Sequence, residues 1–242
     1  MILLIDAGNT RIKWALMRDG TWLAEGVLAH GEIPELAARL HAFPGVRRVL
    51  GANVAGPRIA ADLADALGEA MPSPQWLQAT ELCCGVRNGY TLPAQLGPDR
   101  WAALIGARRL HGGACLVVSA GTATTVDLLD AQGRFQGGLI LPGEELMRRS
   151  LARDTAGLPF AEGRYEAMPR NTADAIASGC LNAQAGAVER MFRQLDPAPD
   201  ALCLVSGGGA ARLLPLLNVP ARHVDNLVLK GLAVVAGEAP TP

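Results

Sequence analysis

Lysine, aromatic side chains and net charge are all scarce in this chain. Of its 242 residues only Lys13 and Lys230 are lysines, aromatic residues make up 4%, and the formal net charge is -1. A chain without excess positive charge offers no broad surface that attracts nucleic acid or anionic lipid. Any anion that this protein binds must therefore be held by a local site.

Signals for membrane insertion or secretion are also missing. No apolar run approaches the roughly 20 residues that a membrane-spanning helix needs. The opening run, Met1 to Ile5, stops at Asp6 and shows neither a basic leader nor a cleavage-site pattern. The five cysteines form no C-x-x-C pair and no zinc-ligand spacing, which favours free thiols in a reducing compartment. We therefore expect a cytoplasmic protein.

Several common catalytic motifs are absent. Neither lysine lies in a Walker A motif, and no G-x-G-x-x-G follows a predicted strand, so a P-loop and a Rossmann dinucleotide site are both excluded. The protein-kinase signature set is missing as well. The four histidines form no cluster and have no serine or cysteine elbow nearby, so no role is assigned to them.

The sequence does contain a repeated pattern of strands and turns. Apolar or alternating runs predict strands at 1–5, 10–16 and 21–28, and again at 114–118, 123–129 and 134–141. Gly20 lies twelve residues after Gly8, and Gly133 lies twelve residues after Gly121. A strand, a glycine turn and a helix then follow in each half, at 48–71 and 202–217. The chain is therefore predicted to be a duplicated α/β unit.

The duplication predicts two lobes, 1–112 and 113–242, with a helical insertion in the second at about 143–200. Further helices are predicted at 99–110, 144–154, 173–195 and 226–236, and residues 238–242 are expected to be disordered. Two such α/β units, with mixed sheets, form the ribonuclease-H-like fold of actin, Hsp70 and the sugar kinases. By analogy with that superfamily, ATP is expected between the two lobes.

Three short segments contain the candidate functional residues. Asp6 to Thr10 forms a predicted hairpin tip in which Gly8 lets the backbone approach a phosphate, although a plain hairpin has the same composition. The Gly-Thr turn at Gly121 is a second donor cluster in the equivalent position and favours phosphate binding. Asp99, in Gly97-Pro98-Asp99-Arg100, is either a helix N-cap or a general base that takes a proton from a hydroxyl.

A family resemblance favours the functional alternatives. The segments Asp6-Ala7-Gly8-Asn9-Thr10, Gly97-Pro98-Asp99-Arg100 and Gly121-Thr122-Ala123-Thr124-Thr125, in this order and with Tyr90 before the second, resemble type III pantothenate kinases. The segments Gly137 to Gly143 and Asn171 to Ile176 extend the resemblance along the chain. Such kinases phosphorylate pantothenate with ATP, the first step towards coenzyme A.

The resemblance implies a role for each matching residue. Asp99 would be the catalytic base, Asp6 would also hold Mg²⁺, and Thr172 would reach pantothenate from the partner subunit of a homodimer. The ATP-binding residues would be Asp6, Ala7, Gly8, Asn9, Thr10, Arg11, Ile12, Lys13 and Thr122. The pantothenate-binding residues would be Tyr90, Gly97, Pro98, Asp99, Arg100 and Thr172.

One position departs from the family pattern. Type III pantothenate kinases usually carry an acidic residue two positions before the second-lobe glycine, where it helps to bind K⁺ or NH₄⁺; here that residue is Ser119. A hydroxyl is neutral and a weaker ligand. Two alternatives remain open at this point: another small-molecule kinase of the same superfamily, and a nucleotide-dependent regulatory protein on the same fold.

Overall fold

A computed structural model describes residues 1–69, 71–158, 160–195 and 200–237, so the C-terminal residues predicted to be disordered lie outside it. The protein is an α/β protein with two five-stranded sheets and a small hairpin. Its strands are β1 Ile2–Ala7, β2 Arg11–Arg18, β3 Thr21–Ala29, β4 Arg48–Asn53, β5 Gln75–Trp76, β6 Leu82–Cys83, β7 Val86–Arg87, β8 Cys115–Ala120, β9 Ala123–Leu129, β10 Phe135–Pro142, β11 Leu202–Ser206 and β12 Ala221–His223.

The helices largely match the predicted ones. They are α1 Leu36–Leu40, α2 Pro57–Leu67, α3 Pro98–Leu110, α4 Glu144–Asp154, α5 Thr172–Phe192, α6 Ala210–Leu213 and α7 Leu227–Ala236, with short 3₁₀ helices at His30–Glu35, Pro93–Gln95 and Leu214–Leu216. The helix predicted after the second glycine turn is shorter than expected, because Pro215 lacks the N–H that an α-helix needs and the chain continues as a 3₁₀ turn. Among the described helices, none is long and apolar enough to cross a membrane.

The two sheets have the same strand order. The first is β3-β2-β1-β4-β5 and the second is β10-β9-β8-β11-β12. In each sheet the central strand pairs antiparallel with the strand of its hairpin and parallel with the strand that precedes a glycine turn. The duplication predicted from glycine spacing is thus visible in the fold.

Each sheet is covered by apolar helices. One face of β1 packs with α1 and α2 through residues such as Leu3, Leu36 and Leu63, and the other face packs with α3 and α7 through Leu4 and Leu229. In the second sheet, a cluster that includes α5 and α6 packs around β8. Because both central strands are buried on both faces, they consist of nearly continuous apolar runs.

Contacts divide the chain into two compact units. Among the described residues, the first contains those of 1–112, 133–135 and 226–237, and the second contains those of 113–132 and 136–225. The first segment of the first unit ends at Gly112. The C-terminal helix α7, however, packs on α3 and belongs with the first unit, whereas the sequence had placed it in the second lobe.

Candidate active site

The predicted phosphate loop connects β1 to β2 in the first unit. The Gly8 N–H donates to the carbonyl of Arg11 at 3.1 Å and closes the turn, which leaves the side chains of Asn9 and Thr10 exposed. Ala7 and Ile12 are fully buried, so only their backbone groups could reach a ligand. Lys13 lies directly opposite Asp6 in the β1–β2 ladder, which places a cation beside the carboxylate.

His30, for which the sequence indicated no role, holds this loop in place through a hydrogen bond. The His30 ring donates from Nε2 to the carbonyl of Gly8 at 2.9 Å. Its position follows from the hairpin register, since Arg11 lies opposite Ala29 and the chain after β3 therefore returns to the loop. The tight turn at Asp19 and Gly20 was a usable signal, because a two-residue turn fixes which residues pair along the strands.

Two carboxylates of the first unit have raised pKa values, and the charge of one acts on the other. The pKa of the Asp6 carboxyl is raised to about 7, first because the group is buried and then because of the negative charge of Asp99, while Lys13 acts in the opposite direction. Burial also raises the pKa of Asp99, although the charge of Arg100 and nearby backbone N–H groups oppose this. The end of β1 and the start of α3 thus form one electrostatic site.

The structure at the start of α3 excludes one of the two roles that the sequence allowed for Asp99. The N-cap of α3 is Gly97, and Asp99 lies in the first helical turn, so the interpretation of Asp99 as the N-cap is wrong. A Cβ atom at position 97 would lie 2.7 Å from Asp99 Oδ1, so a side chain there would displace this carboxylate. Pro98 suits the first helical position because no partner is needed for its missing N–H.

Arg100 lies in an aromatic cluster. It is 5% exposed, and its Nη1 donates to the hydroxyl of Tyr90 at 3.0 Å. The guanidinium carbon lies 5.6 Å from the centre of the Tyr90 ring and 5.7 Å from that of Phe135, distances at which cation–π attraction operates. Asn88 holds Tyr90 in turn, because its Oδ1 accepts from the Tyr90 N–H at 3.0 Å.

The second unit has its own Gly-Thr turn. The N–H of Gly121 donates to the carbonyl of Ala123 at 3.0 Å, and the carbonyl of Thr122 accepts from Gly143 N–H at 2.8 Å. The Thr122 side chain is exposed. Thr124 points into the core instead, where its hydroxyl donates to Gln184 of α5 at 2.8 Å.

Thr172 begins α5 beside an apolar groove. Asn171 is the N-cap, and its Oδ1 accepts from the N–H of Asp174 at 2.9 Å, as expected for a capping residue. Thr172 lines a cavity of about 870 Å³ between α4 and α5. The other lining residues are mainly apolar, among them Met147, Leu151 and Ile176.

Comparison with known proteins gives consistent matches to one family. The family model described as type III pantothenate kinase matches residues 2–194. A type III pantothenate kinase of Aromatoleum aromaticum is 65% identical over 238 residues, covering 98% of each chain, and one of Dechloromonas aromatica is 48% identical over 98% of this chain and 99% of its own. The chain belongs to the type III pantothenate kinase family.

A solved structure supports the fold assignment. A proposed 2-dehydro-3-deoxygalactonokinase from Sinorhizobium meliloti is only 17% identical but superimposes with a TM-score of 0.64 over 98% of each chain. At that identity the match concerns the fold alone. It confirms the duplicated α/β fold with mixed sheets that the sequence predicted.

Ser119, the position that departs from the family pattern, lies in a row of three hydroxyl side chains across the second sheet. Ser119 of β8 is paired with Thr125 of β9 on one side and with Ser206 of β11 on the other, and directly paired residues share a face of the sheet. The Thr125 hydroxyl is buried and has no hydrogen-bond partner among the described residues. These three neutral oxygens fit a weakly held monovalent cation, since oxygen atoms are the ligands that hard cations prefer.

Three residues that contact the candidate site were not predicted. His30 braces the phosphate loop, Asn88 holds Tyr90, and Phe135 packs on Arg100. Phe135 had been noticed only as a repeat landmark, because it lies two residues beyond Gly133 as Trp22 does beyond Gly20. Its contact with Tyr90 joins residues 45 positions apart, which no local pattern reveals.

Proposed function

We propose that this chain transfers the terminal phosphoryl group of ATP to the terminal hydroxyl of pantothenate and so produces 4′-phosphopantothenate for coenzyme A biosynthesis. The observation that carries the proposal is the half-buried Asp99 carboxylate, which lies beside Arg100 and is electrostatically coupled to Asp6. Family membership over nearly the whole chain supplies the substrate pair.

Asp99 is proposed as the catalytic base. Burial raises the pKa of its carboxyl, which makes it a better proton acceptor than a free aspartate. As the pantothenate oxygen bonds to the γ-phosphorus, the hydroxyl proton passes to Asp99 and the bond to ADP breaks. Phosphoryl transfer depends mainly on positioning and charge stabilisation, so Asp99 acts together with fixed cations.

ATP is proposed to bind through its phosphates. In the first unit the residues from Asp6 to Lys13 supply exposed side chains at Asn9, Thr10 and Arg11, and the cation of Lys13. In the second unit the exposed hydroxyl of Thr122 is a further ATP contact. His30 keeps the Gly8 carbonyl in place and so acts as a positioning residue for the loop.

Pantothenate is proposed to bind at Tyr90 and at residues 97–100. Because Arg100 packs against two aromatic rings and donates a hydrogen bond to Tyr90, its side chain loses little further freedom when it meets an anion. Its guanidinium is suited to the substrate carboxylate or to the charge that spreads over the transferred phosphoryl group. The main chain at Gly97 and Pro98 completes this side of the site.

Mg²⁺ is proposed as the divalent cofactor, with Asp6 as its ligand. Carboxylate oxygens are the protein ligands that Mg²⁺ prefers, and the buried Asp6 carboxyl, whose pKa lies far above its usual range, is a group that a cation would stabilise in its charged form. When bound, Mg²⁺ neutralises phosphate charge. K⁺ or NH₄⁺ is proposed at Ser119, Thr125 and Ser206.

The protein is further proposed to be a homodimer. The insertion exposes large apolar side chains, with Met168 85% and Phe160 51% exposed, and it contains the apolar groove beside Thr172. Exposed apolar patches of this kind mark protein interaction sites. In that assembly Thr172 would contact pantothenate in the partner's site. The five free cysteines suit the reducing cytoplasm that we propose as its location.

The decisive experiment is turnover of ATP by the purified protein against a panel of hydroxyl acceptors that includes pantothenate and sugars. With Mg²⁺ and K⁺ or NH₄⁺ present, mass spectrometry should detect phosphopantothenate and no comparable sugar phosphate. A sugar phosphate as the main product would favour another kinase of the superfamily. ATP binding without transfer to any acceptor would favour a regulatory protein.

Two variants then test the proposed base. Asp99→Asn keeps the size and the hydrogen-bond acceptor but loses the charge, so turnover should fall by about 10²- to 10⁴-fold while ATP still binds. Asp65→Asn is the matched control, because Asp65 is exposed on α2. Full activity of Asp99→Asn would eliminate Asp99 as the base.

A further inference from the structure

Two adjacent thiols lie at the tip of the small hairpin formed by β6 and β7. Cys83 ends β6 and Cys84 begins the turn, and their Sγ atoms are 3.5 Å apart. Cys83 is half-buried and Cys84 is exposed, whereas Cys115, Cys180 and Cys203 are buried. Neither sulfur of the pair belongs to the proposed kinase site.

The backbone holds the pair in this arrangement. Cys84 and Gly85 have φ angles of 49° and 79°, as required at the two central positions of a type I′ turn, and Cys83 pairs with Val86. A cysteine is unusual at a position with positive φ, where asparagine, aspartate or glycine is preferred. The hairpin is anchored to the first unit, because Arg87 N–H donates to the carbonyl of Gly133 at 2.9 Å.

Two familiar uses of paired cysteines do not fit the geometry. Adjacent Cα atoms across a trans peptide are about 3.8 Å apart, which is below the roughly 4.4–6.8 Å of ordinary disulfides. A structural zinc site needs four ligands, and no group of three or more histidine, cysteine or acidic side chains that could hold a metal occurs among the described residues. The pair therefore suits a ligand that bonds two sulfurs and supplies its remaining substituent itself.

We propose that Cys83 and Cys84 form a dithiol site for trivalent organoarsenicals that carry one carbon substituent. The arsenic of an arsenoxide bonds both sulfurs, its oxygen leaves as water with the two thiol protons, and no oxidation state changes. The organic group completes the three-coordinate arsenic. No oxidant or further protein ligand is required.

The ionisation of the pair favours this reagent class over alkylating agents. The pKa of the Cys84 thiol is raised to about 11, first because neighbouring atoms partly shield the sulfur from water and then by the adjacent Cys83. A thiol that stays protonated at neutral pH is a poor nucleophile in one-sulfur reactions that need a thiolate. Formation of the cyclic arsenical is driven instead by two sulfur bonds made at one arsenic atom.

The test uses the full-length protein and phenylarsine oxide. One equivalent should add the mass of one phenylarsenic group less two hydrogens to the intact protein. Tryptic mapping should locate it on the peptide that contains both cysteines, and 2,3-dimercaptopropanol should remove it more readily than 2-mercaptoethanol. Cys83→Ser and Cys84→Ser should each bind at least about 100-fold more weakly, because a second tethered attachment raises avidity by 10²–10⁴.

The controls keep every outcome informative. Cys180→Ser leaves the hairpin pair intact and should bind one equivalent as the wild type does. Mapping is done on the wild-type chain, so it remains valid even if a serine variant folds poorly. Arsenic on any other peptide, no uptake by the wild-type protein, or equal binding by the serine variants would overturn the proposal.

Discussion

The Asp6 carboxyl is at the end of β1 and keeps its proton to an unusually high pH in the metal-free protein, since its pKa is raised from 3.8 to about 7. In the unfolded chain Asp6 ionises near its ordinary value, so the unfolded state binds fewer protons between about pH 4 and pH 7. Stability contributed by the protonated group is thus present at low pH and is lost as pH rises through 7.

Asp6→Asn removes this dependence. In chelator-treated protein, the variant should gain unfolding free energy relative to the wild type as pH rises from 5 to 8, by on the order of 1–4 kcal/mol. Urea unfolding at both pH values measures the difference. In Asp99→Asn the unfolding free energy should depend less steeply on pH than in the wild type, because the charge of Asp99 contributes to the raised pKa of Asp6. If Asp6→Asn gained the same unfolding free energy at both pH values, the result would contradict the raised pKa of Asp6.

Another prediction concerns the proposed monovalent-cation site at Ser119 in the second unit. Ser119→Asp restores a charge in the hydroxyl row and should lower the K⁺ or NH₄⁺ concentration for half-maximal rate by about tenfold or more, since a carboxylate close to a cation contributes several kcal/mol at intermediate dielectric. Ser119→Asn is the size-matched neutral control and should leave that concentration near the wild-type value. If the aspartate variant shows an unchanged cation dependence, the cation lies elsewhere.

At the residue scale, a sequence can point to candidate site residues that lie close together along the chain or recur in both halves. Asp6, Asp99 and Thr122 lie in glycine-containing motifs whose backbone requirements are local. Phe135 could not be found in this way, because it meets Tyr90 only after the chain has completed α3 and two strands of the second sheet. The coupling of Asp6 to Asp99 likewise depends on packing.

At the element scale, the crossing of α3 and α7 depends on two glycines. A Cβ atom at Gly231 would overlap the carbonyl of Ala102, and one at Gly106 would lie 2.7 Å from the carbonyl of Leu227. Helix propensity alone predicts that Gly231→Ala stabilises the protein by up to about 1 kcal/mol. Overpacking costs about 1–3 kcal/mol, and the contact here is with rigid backbone, so Gly231→Ala should destabilise.

Gly186→Ala is the matched control for this crossing. Gly186 lies within α5, and a Cβ atom there meets no atom within 4 Å. Without crowding, only the propensity effect remains, and the variant should be about 0.5–1 kcal/mol more stable. Urea denaturation of both variants compares the two effects. Stabilisation by both substitutions would show that α3 and α7 can separate without cost.

The long elements were predictable, whereas the short ones were not. The paired hairpins and the helix at Glu144–Asp154 follow from alternating or helical apolar spacing. Strands β5, β6, β7 and β12 have two or three residues each, too few to show any periodicity. Helix α7 is apolar along most of its length, so its sequence indicated burial without indicating that its partner would be α3.

At the scale of the whole molecule, the position of Thr172 connects assembly to activity. If Thr172 serves the partner's site, a two-fold symmetric dimer contains two sites, and each is built from Asp99 of one subunit and Thr172 of the other. A subunit that carries Asp99→Asn can still supply an intact Thr172. A subunit that carries Thr172→Ala can still supply an intact Asp99.

Mixing the two variants therefore provides a test that a monomer cannot pass. After subunit exchange, half of the dimers should be mixed, and one of the two sites in each should be intact, which restores up to about a quarter of wild-type activity. Light scattering should show dimers before and after mixing. Activity equal to the average of the two separate variants would mean that Thr172 acts within its own subunit or not at all. A fully active wild-type monomer would exclude the shared site altogether.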